Sequence, residues 1–113
     1  MSKTYVFDID GTICTFTNGK YDLCEPIIDH IDIVNELHSQ GNKIILFTAR
    51  GMDSCNGNQM LAHKKYFHYT CKQVKSWGLN YDKIYFGKPK ADIYVDDLGS
   101  DLTFFKKFKK PLK

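Results

Sequence analysis

Short apolar runs, each closed at its C-terminal end by polar residues, constrain this chain more than any other feature. Tyr5-Val6-Phe7 leads into Asp8-Ile9-Asp10-Gly11-Thr12, and a second run, Lys43 to Thr48 with Ile44-Ile45-Leu46-Phe47 at its centre, ends in Thr48-Ala49-Arg50-Gly51. A third run, 83–86, leads into Gly87-Lys88-Pro89, and a fourth, Ile93-Tyr94-Val95 within 92–96, ends in Asp96-Asp97. Runs of β-branched and aromatic residues of this length predict strands. Strands without polar alternation predict a parallel sheet covered on both faces. Helical periodicity fills the gaps between them. Ile28, Ile31, Val34 and Leu37 follow Pro26 and stop at Gly41. Residues 59–77 predict a long helix with Met60, Leu61, Phe67, Cys71, Val74 and Trp77 facing inward. Residues 101–108 predict a short last helix capped by Ser100, with Leu102, Phe105 and Phe108 inward. The expectation is an α/β chain, a three-layer Rossmann-like fold with a mainly parallel sheet, in a single domain over 1–113.

Composition narrows the class. With 42% hydrophobic and 26% charged residues in 113, the chain can bury a core and is not disordered. The net charge of +3 is unevenly spread: the basic tail, 104–113, holds five lysines and no acid. The preceding residues carry eleven basic and thirteen acidic groups, which argues against a globally basic nucleic-acid binder. No apolar run exceeds Ile44 to Phe47, far short of the ~20 residues that span a bilayer. Asp8 also interrupts the N-terminus too early for a signal peptide, so the expected location is cytoplasmic, with no membrane partner. Cys14, Cys24, Cys55 and Cys71 show no CxxC spacing and are expected to be reduced thiols.

Parallel sheets bind ligands beyond the carboxyl ends of their strands. The polar clusters named above therefore converge: Asp8, Asp10, Asp96 and Asp97, with Lys88, Arg50 and a threonine hydroxyl. Four carboxylates at close range need a compensating cation. Hard oxygen ligands favour Mg²⁺, and a metal beside cationic and hydroxyl donors makes a phosphate site. Asp8 and Asp10, at i and i+2 of an extended segment, point the same way. Gly11 lets the backbone turn and approach a phosphate.

Taken in order, these residues resemble the haloacid dehalogenase superfamily of Mg²⁺-dependent phosphatases. Asp8-Ile9-Asp10-Gly11-Thr12 is similar to that family's first motif, and Phe47-Thr48-Ala49-Arg50 to its second. Lys88 matches the third, and Val95-Asp96-Asp97 the fourth, with Asp101 completing a DxxxD spacing. Phe47 to Met52, Phe86 to Pro89 and Tyr94 to Asp97 further resemble a group of capsule-biosynthesis phosphatases. The resemblance implies a haloacid-dehalogenase core and Mg²⁺ as cofactor. It implies that Asp8 is the nucleophile and a metal ligand. Asp10 is implied to be general acid and then base, with its carbonyl toward the metal. Thr48 and Lys88 complete the implied catalytic set. Asp97 is the preferred third metal ligand and Asp96 the alternative. Gly11, Thr12, Thr48, Ala49, Arg50 and Lys88 are the expected substrate-binding residues.

Neither the stretch from Thr12 to Glu25 nor that from Phe86 to Asp92 has room for a cap domain. The expected site is open, or covered by a second copy of the chain. Segment 13–25, with Phe16, Tyr21 and Cys24, is the expected flap, and loop 51–58 the next candidate for substrate contacts. The leading expectation is hydrolysis of a sugar phosphate or another small phosphorylated metabolite, in capsule or surface-polysaccharide biosynthesis. The open site and lysine-rich tail motivate an alternative, a nucleotidase or polynucleotide 3′-phosphatase. A non-catalytic, partner-binding role is a third reading, opposed by the intact set of Asp8, Asp10, Thr48, Lys88 and Asp97.

Overall fold

The computed structural model describes residues 2–108; Lys109, Lys110 and Lys113 of the basic tail lie outside the described residues. Three strands form one parallel sheet in the order β1 (Thr4–Phe7), β2 (Lys43–Thr48), β3 (Lys83–Phe86). The helices α1 (Ile28–Ser39) and α2 (Gln59–Ser76) supply the crossovers that parallel pairing requires. Thr4 pairs with Lys43 and Phe7 with Leu46; Ile45 pairs with Lys83 and Thr48 with Phe86. All three strands therefore end at one rim. Ile44, Leu46 and Thr48 of β2 are fully buried, while Ile45 and Phe47 are half-buried.

The main core joins the sheet to α1 and the end of α2 through Phe7, Ile9, Val34, Leu46 and Val74. A smaller apolar cluster, Met52, Cys55, Ala62 and Phe86, lies beneath the loop after β2. Asn58 caps α2 by accepting the Leu61 N–H at 3.0 Å. None of the helices among the described residues is long and apolar enough to cross a membrane.

The elements depart from expectation in three places. Residues 92–96 form no strand: residues 91–100 are exposed throughout, Val95 at 93% and Ile93 at 78%. Local bonds take the place of a ladder there. Asp96 turns its carboxylate onto the Leu98 N–H at 3.0 Å, and the Tyr94 hydroxyl donates to the Pro89 carbonyl. β1 and β3 stand at the two edges of the sheet. On α2 the inward stripe is Ala62, Tyr66, Thr70 and Val74, one residue per turn. Met60 and Leu61 face outward, because four-residue steps back from Val74 reach Ala62 and then Asn58 and skip both. The last element is a 3₁₀ helix, Leu102–Lys107, capped by Asp101 rather than Ser100. Its tighter period buries Phe105 and sets Phe104 against Tyr5 and Phe7, while Leu102 is exposed.

Candidate functional site

The rim where the strands end gathers most of the polar residues singled out in the sequence. After β1 the chain turns around the Ile9 carbonyl, which accepts the N–H groups of Thr12 and Ile13 at 3.1 and 2.8 Å. Gly11, at φ +85°, makes that turn possible. Ile9 is fully buried, so Asp8 and Asp10 emerge on either side of an anchored residue. The Thr12 carbonyl is tied to His30 Nδ1 on α1 at 2.7 Å, and the His30 ring stacks on Phe105 at 3.8 Å.

Asp8 is half-buried and meets Lys88, with Nζ 3.6 Å from Oδ2. Its Oδ1 accepts the Ile9 N–H at 2.9 Å. Burial raises the Asp8 pKa above the usual carboxylate value; Lys88 and the Ile9 N–H work the other way, and the Asp10 charge adds to the rise. Lys88 is placed by its own N–H, which donates to the Thr48 carbonyl at 3.1 Å. The Tyr94 ring covers the lysine ammonium at 4.4 Å. Segment 92–97 thus starts beside the site, although its carboxylates do not join it.

Asp10 answers a different cation. Arg50 Nε donates to Asp10 Oδ2 at 2.9 Å and Nη2 to Oδ1 at 3.0 Å, a bidentate fork. The thiols of Cys14 and Cys24 also donate to Oδ1, at 3.6 and 3.4 Å. Arg50 is 1% exposed. Its Nη1 donates to Thr70 Oγ1 at 3.2 Å, and its Cζ lies 4.6 Å from the Tyr21 ring centre. Burial opposes the guanidinium charge, but the hydrogen bonds and charge of Asp10 outweigh it and raise the Arg50 pKa. Arg50 therefore does not face a substrate, as the sequence reading had it. Thr48, also without exposed surface, accepts the Arg50 N–H on Oγ1 at 3.0 Å and braces that arginine. Gly11, Thr12, Ala49 and Lys88 are half-buried at the rim.

Among the described residues, the group of three metal-ligating side chains whose ligand atoms all lie within 4.8 Å of one another is Asp10, Cys14 and Cys24. That group already holds a cation: Arg50 Nη2 lies 4.0 Å from Cys14 Sγ and 3.8 Å from Cys24 Sγ. Burial, then the Asp10 charge, pushes the Cys14 thiol far above its ordinary value, in keeping with a protonated thiol that donates to Asp10. Asp96 and Asp97 are exposed and are not gathered with Asp8 and Asp10, contrary to the expected four-carboxylate cluster.

Two residues of the site, Cys14 and Thr70, escaped the sequence reading as functional groups, while Tyr21 and Cys24 were expected only as part of the flap. Thr70 carried one signal, a polar residue on the inward four-residue stripe of α2. Tyr21 carries the flap expectation further than its position suggested, since its hydroxyl accepts the Gly51 N–H at 2.9 Å.

Gly51 is a tight point in this arrangement. It holds φ +78°, and an added Cβ would lie 2.6 Å from the Tyr66 ring and 3.1 Å from Ala62 Cβ. Tyr66 packs edge-on against Tyr21 at 5.3 Å, and Tyr21 against Arg50. Gly51→Ala is expected to cost about 2–4 kcal/mol, from left-handed strain and overpacking together. Urea unfolding measures this; a loss within about 0.5 kcal/mol would show that the ring contact is not tight.

No family model and no curated protein sequence matches the chain. Two solved structures do. A crystal structure of a target protein from Vibrio cholerae is similar over 96% of this chain and 90% of that one, with 27% sequence identity and a TM-score of 0.85. A chain of the Pnkp1/Rnl/Hen1 complex is similar over 95% of this chain and 33% of that one, with 17% identity and a TM-score of 0.58. The second likeness is one of fold alone.

Proposed function

We propose that this chain is a Mg²⁺-dependent phosphomonoester hydrolase, built on a capless haloacid-dehalogenase core and acting through an aspartyl-phosphate on Asp8. The supporting observation is the Asp8–Lys88 pair: a half-buried carboxylate and a lysine 3.6 Å apart, at the carboxyl rim of a parallel sheet, with Asp10 two residues on. Phosphoryl transfer asks a protein mainly for positioning and charge stabilisation. In the first half-reaction Asp8 bonds to phosphorus, the bond to the leaving oxygen breaks, and that oxygen takes a proton from Asp10. In the second, a water gives its proton to Asp10 and bonds to phosphorus, and the Asp8–phosphorus bond breaks to release phosphate. Lys88 offsets charge on Asp8 and on the phosphoryl oxygens. Half-buried Gly11 and Thr12 line the turn that faces the phosphoryl group.

The donors fit a hard divalent cation in chemistry. Asp8 carries a charge that burial and Asp10 oppose and that one lysine partly answers. Asp8 and the Asp10 carbonyl are the residues of this rim that would hold Mg²⁺, both oxygen donors, while Asp97 and Asp96, the further ligands expected from the sequence, lie on the exposed segment 91–100. When bound, the cation supplies charge neutralisation at the nucleophile and at the phosphoryl group.

The substrate class proposed is a sugar phosphate or another small phosphorylated metabolite of surface-polysaccharide synthesis. A cavity of about 610 Å³ beside Gly87, lined by Asp53, Asn56, Gln59 and Lys90, offers polar groups to such a leaving group. The test is a screen over sugar phosphates, nucleotides, polyol and amine phosphates, and 3′-phosphorylated oligonucleotides, with and without Mg²⁺. Small phosphomonoesters are expected to be hydrolysed, with chelation lowering the rate on the order of 10²-fold or more. Equal rates with and without Mg²⁺ would remove the metal from the proposal. Activity confined to oligonucleotides, and falling steeply with salt, would replace the small-molecule substrate by a nucleic acid.

A further inference from the structure

We propose that Arg50 is a positioning residue for Asp10: its guanidinium fork aims the carboxylate that serves as acid and base, and Thr70 and Tyr21 aim the fork. The inference rests on the hydrolase reading above and adds a residue whose role there is indirect. A phosphate-binding arginine must reach the surface, whereas Arg50 is 1% exposed. Its Nε and Nη2 are taken by the two oxygens of Asp10 at 2.9 and 3.0 Å, and Nη1 by Thr70 at 3.2 Å. The Tyr21 ring covers its face at 4.6 Å, and its main-chain N–H is bound to Thr48 at 3.0 Å.

This cage decides what Asp10 can do. A free aspartate carboxylate rotates, whereas one held by a planar fork presents a fixed edge. The Asp10 side chain keeps 15% of its surface exposed, so its outer edge still reaches the rim while its inner edge stays on Arg50. The fork comes from the end of β2 and its anchor from the middle of α2, two elements fixed by the core. The catalytic aspartate, which lies on a turn, thereby takes its aim from rigid parts of the fold. Fixed aim matters most where a proton must pass to a poor leaving group, because that transfer depends on short, well-aligned contact.

Leaving-group dependence separates this role from a merely structural one. Arg50→Met, Arg50→Lys, Thr70→Val and Asp10→Asn are compared on an alkyl phosphate, whose alkoxide needs a proton, and on p-nitrophenyl phosphate, whose phenolate does not. Thermal melts establish that each variant is folded at the assay temperature. Arg50→Met is expected to lose on the order of 10²-fold in kcat/KM, which reports the leaving-group step, on the alkyl phosphate and less than about tenfold on the nitrophenyl ester. The second step, in which Asp10 is base, is common to both esters and enters kcat alone. On the alkyl phosphate KM should move little, and on the nitrophenyl ester any fall in kcat should be matched by a fall in KM. Arg50→Lys keeps the charge but not the fork, and should not rescue. Thr70→Val, a milder change in the anchor, should show the same pattern at smaller amplitude. Asp10→Asn/Arg50→Met should be no slower than Asp10→Asn alone, as expected for two groups in one relay. Equal losses of kcat/KM on both esters, or multiplicative losses in the double variant, would overturn the positioning role while leaving the hydrolase standing. A wild-type chain inactive on every phosphomonoester with Mg²⁺ would overturn the hydrolase reading and this inference with it.

Discussion

Asp8→Asn is expected to lower kcat by at least about 10³-fold and to leave the chain folded, with a melting temperature at pH 7 no lower than wild type. The catalytic half follows from the chemistry: an amide oxygen is a poor nucleophile toward phosphorus, and among the described residues Asp8 is the carboxylate in ion-pair contact with Lys88. The stability half follows from the electrostatics. Burial raises the Asp8 pKa in the folded chain above the ordinary 3.8. Between 3.8 and that raised value the folded chain holds a proton that the unfolded chain has released. Stability therefore falls as pH climbs through this window, and the loss persists at every higher pH. Asparagine cannot ionise and escapes it. The variant should gain on wild type as pH rises through that window and keep the gain at pH 7. Lys88 and the Ile9 N–H moderate the effect, since both favour the charged form that asparagine lacks. Phosphate release and thermal melts at pH 4 and pH 7 measure the two halves. Retained turnover would remove the covalent route through Asp8. A melting temperature well below wild type at pH 7 would mean that the carboxylate is structural.

The strands β1, β2 and β3 were legible because each is a run of apolar residues with no competing local bond. β2 and β3 begin and end where the sequence places them. The rim was legible for a related reason: in a parallel sheet the residue after each run lies at the same edge. Residues 92–96 misled because three apolar residues between acidic neighbours can satisfy their backbone locally. Tyr94 bonds Pro89 and Asp96 bonds Leu98, and pattern carries no information about that competition. The role of Arg50 misled for a different reason. Following Thr48 at a strand end, it looks like a surface cation, and only the burial of Thr70 on α2 and the approach of Tyr21 turn it inward. Neither is adjacent in sequence, and a threonine among the apolar positions of a helix reads as noise until its partner is known.

Arg50→Met is expected to cost about 3–5 kcal/mol, because it strands the largely enclosed Asp10 carboxylate without its counter-charge. For a chain of this size that corresponds to a fall in melting temperature on the order of 15 °C. The fork holds Asp10 at 2.9 and 3.0 Å, and the thiols of Cys14 and Cys24 are weak donors that cannot replace it. Asp10→Asn strands the opposite charge, a guanidinium with Thr70 and a tyrosine face but no anion. Each single change therefore carries a penalty that belongs to the group left behind. Asp10→Asn/Arg50→Met leaves no charge behind, so it should be more stable than the sum of the single losses allows, by about 2 kcal/mol. Urea midpoints at constant slope give the three values. Additive losses would mean that the two side chains do not feel each other and that the fork is incidental. A large coupling would mean that the fold itself enforces the aim of Asp10. A stable fork and a working acid–base residue are compatible only if the proton is exchanged on the edge of Asp10 that faces the rim. The coupling energy and the leaving-group dependence should therefore appear in the same residue pair.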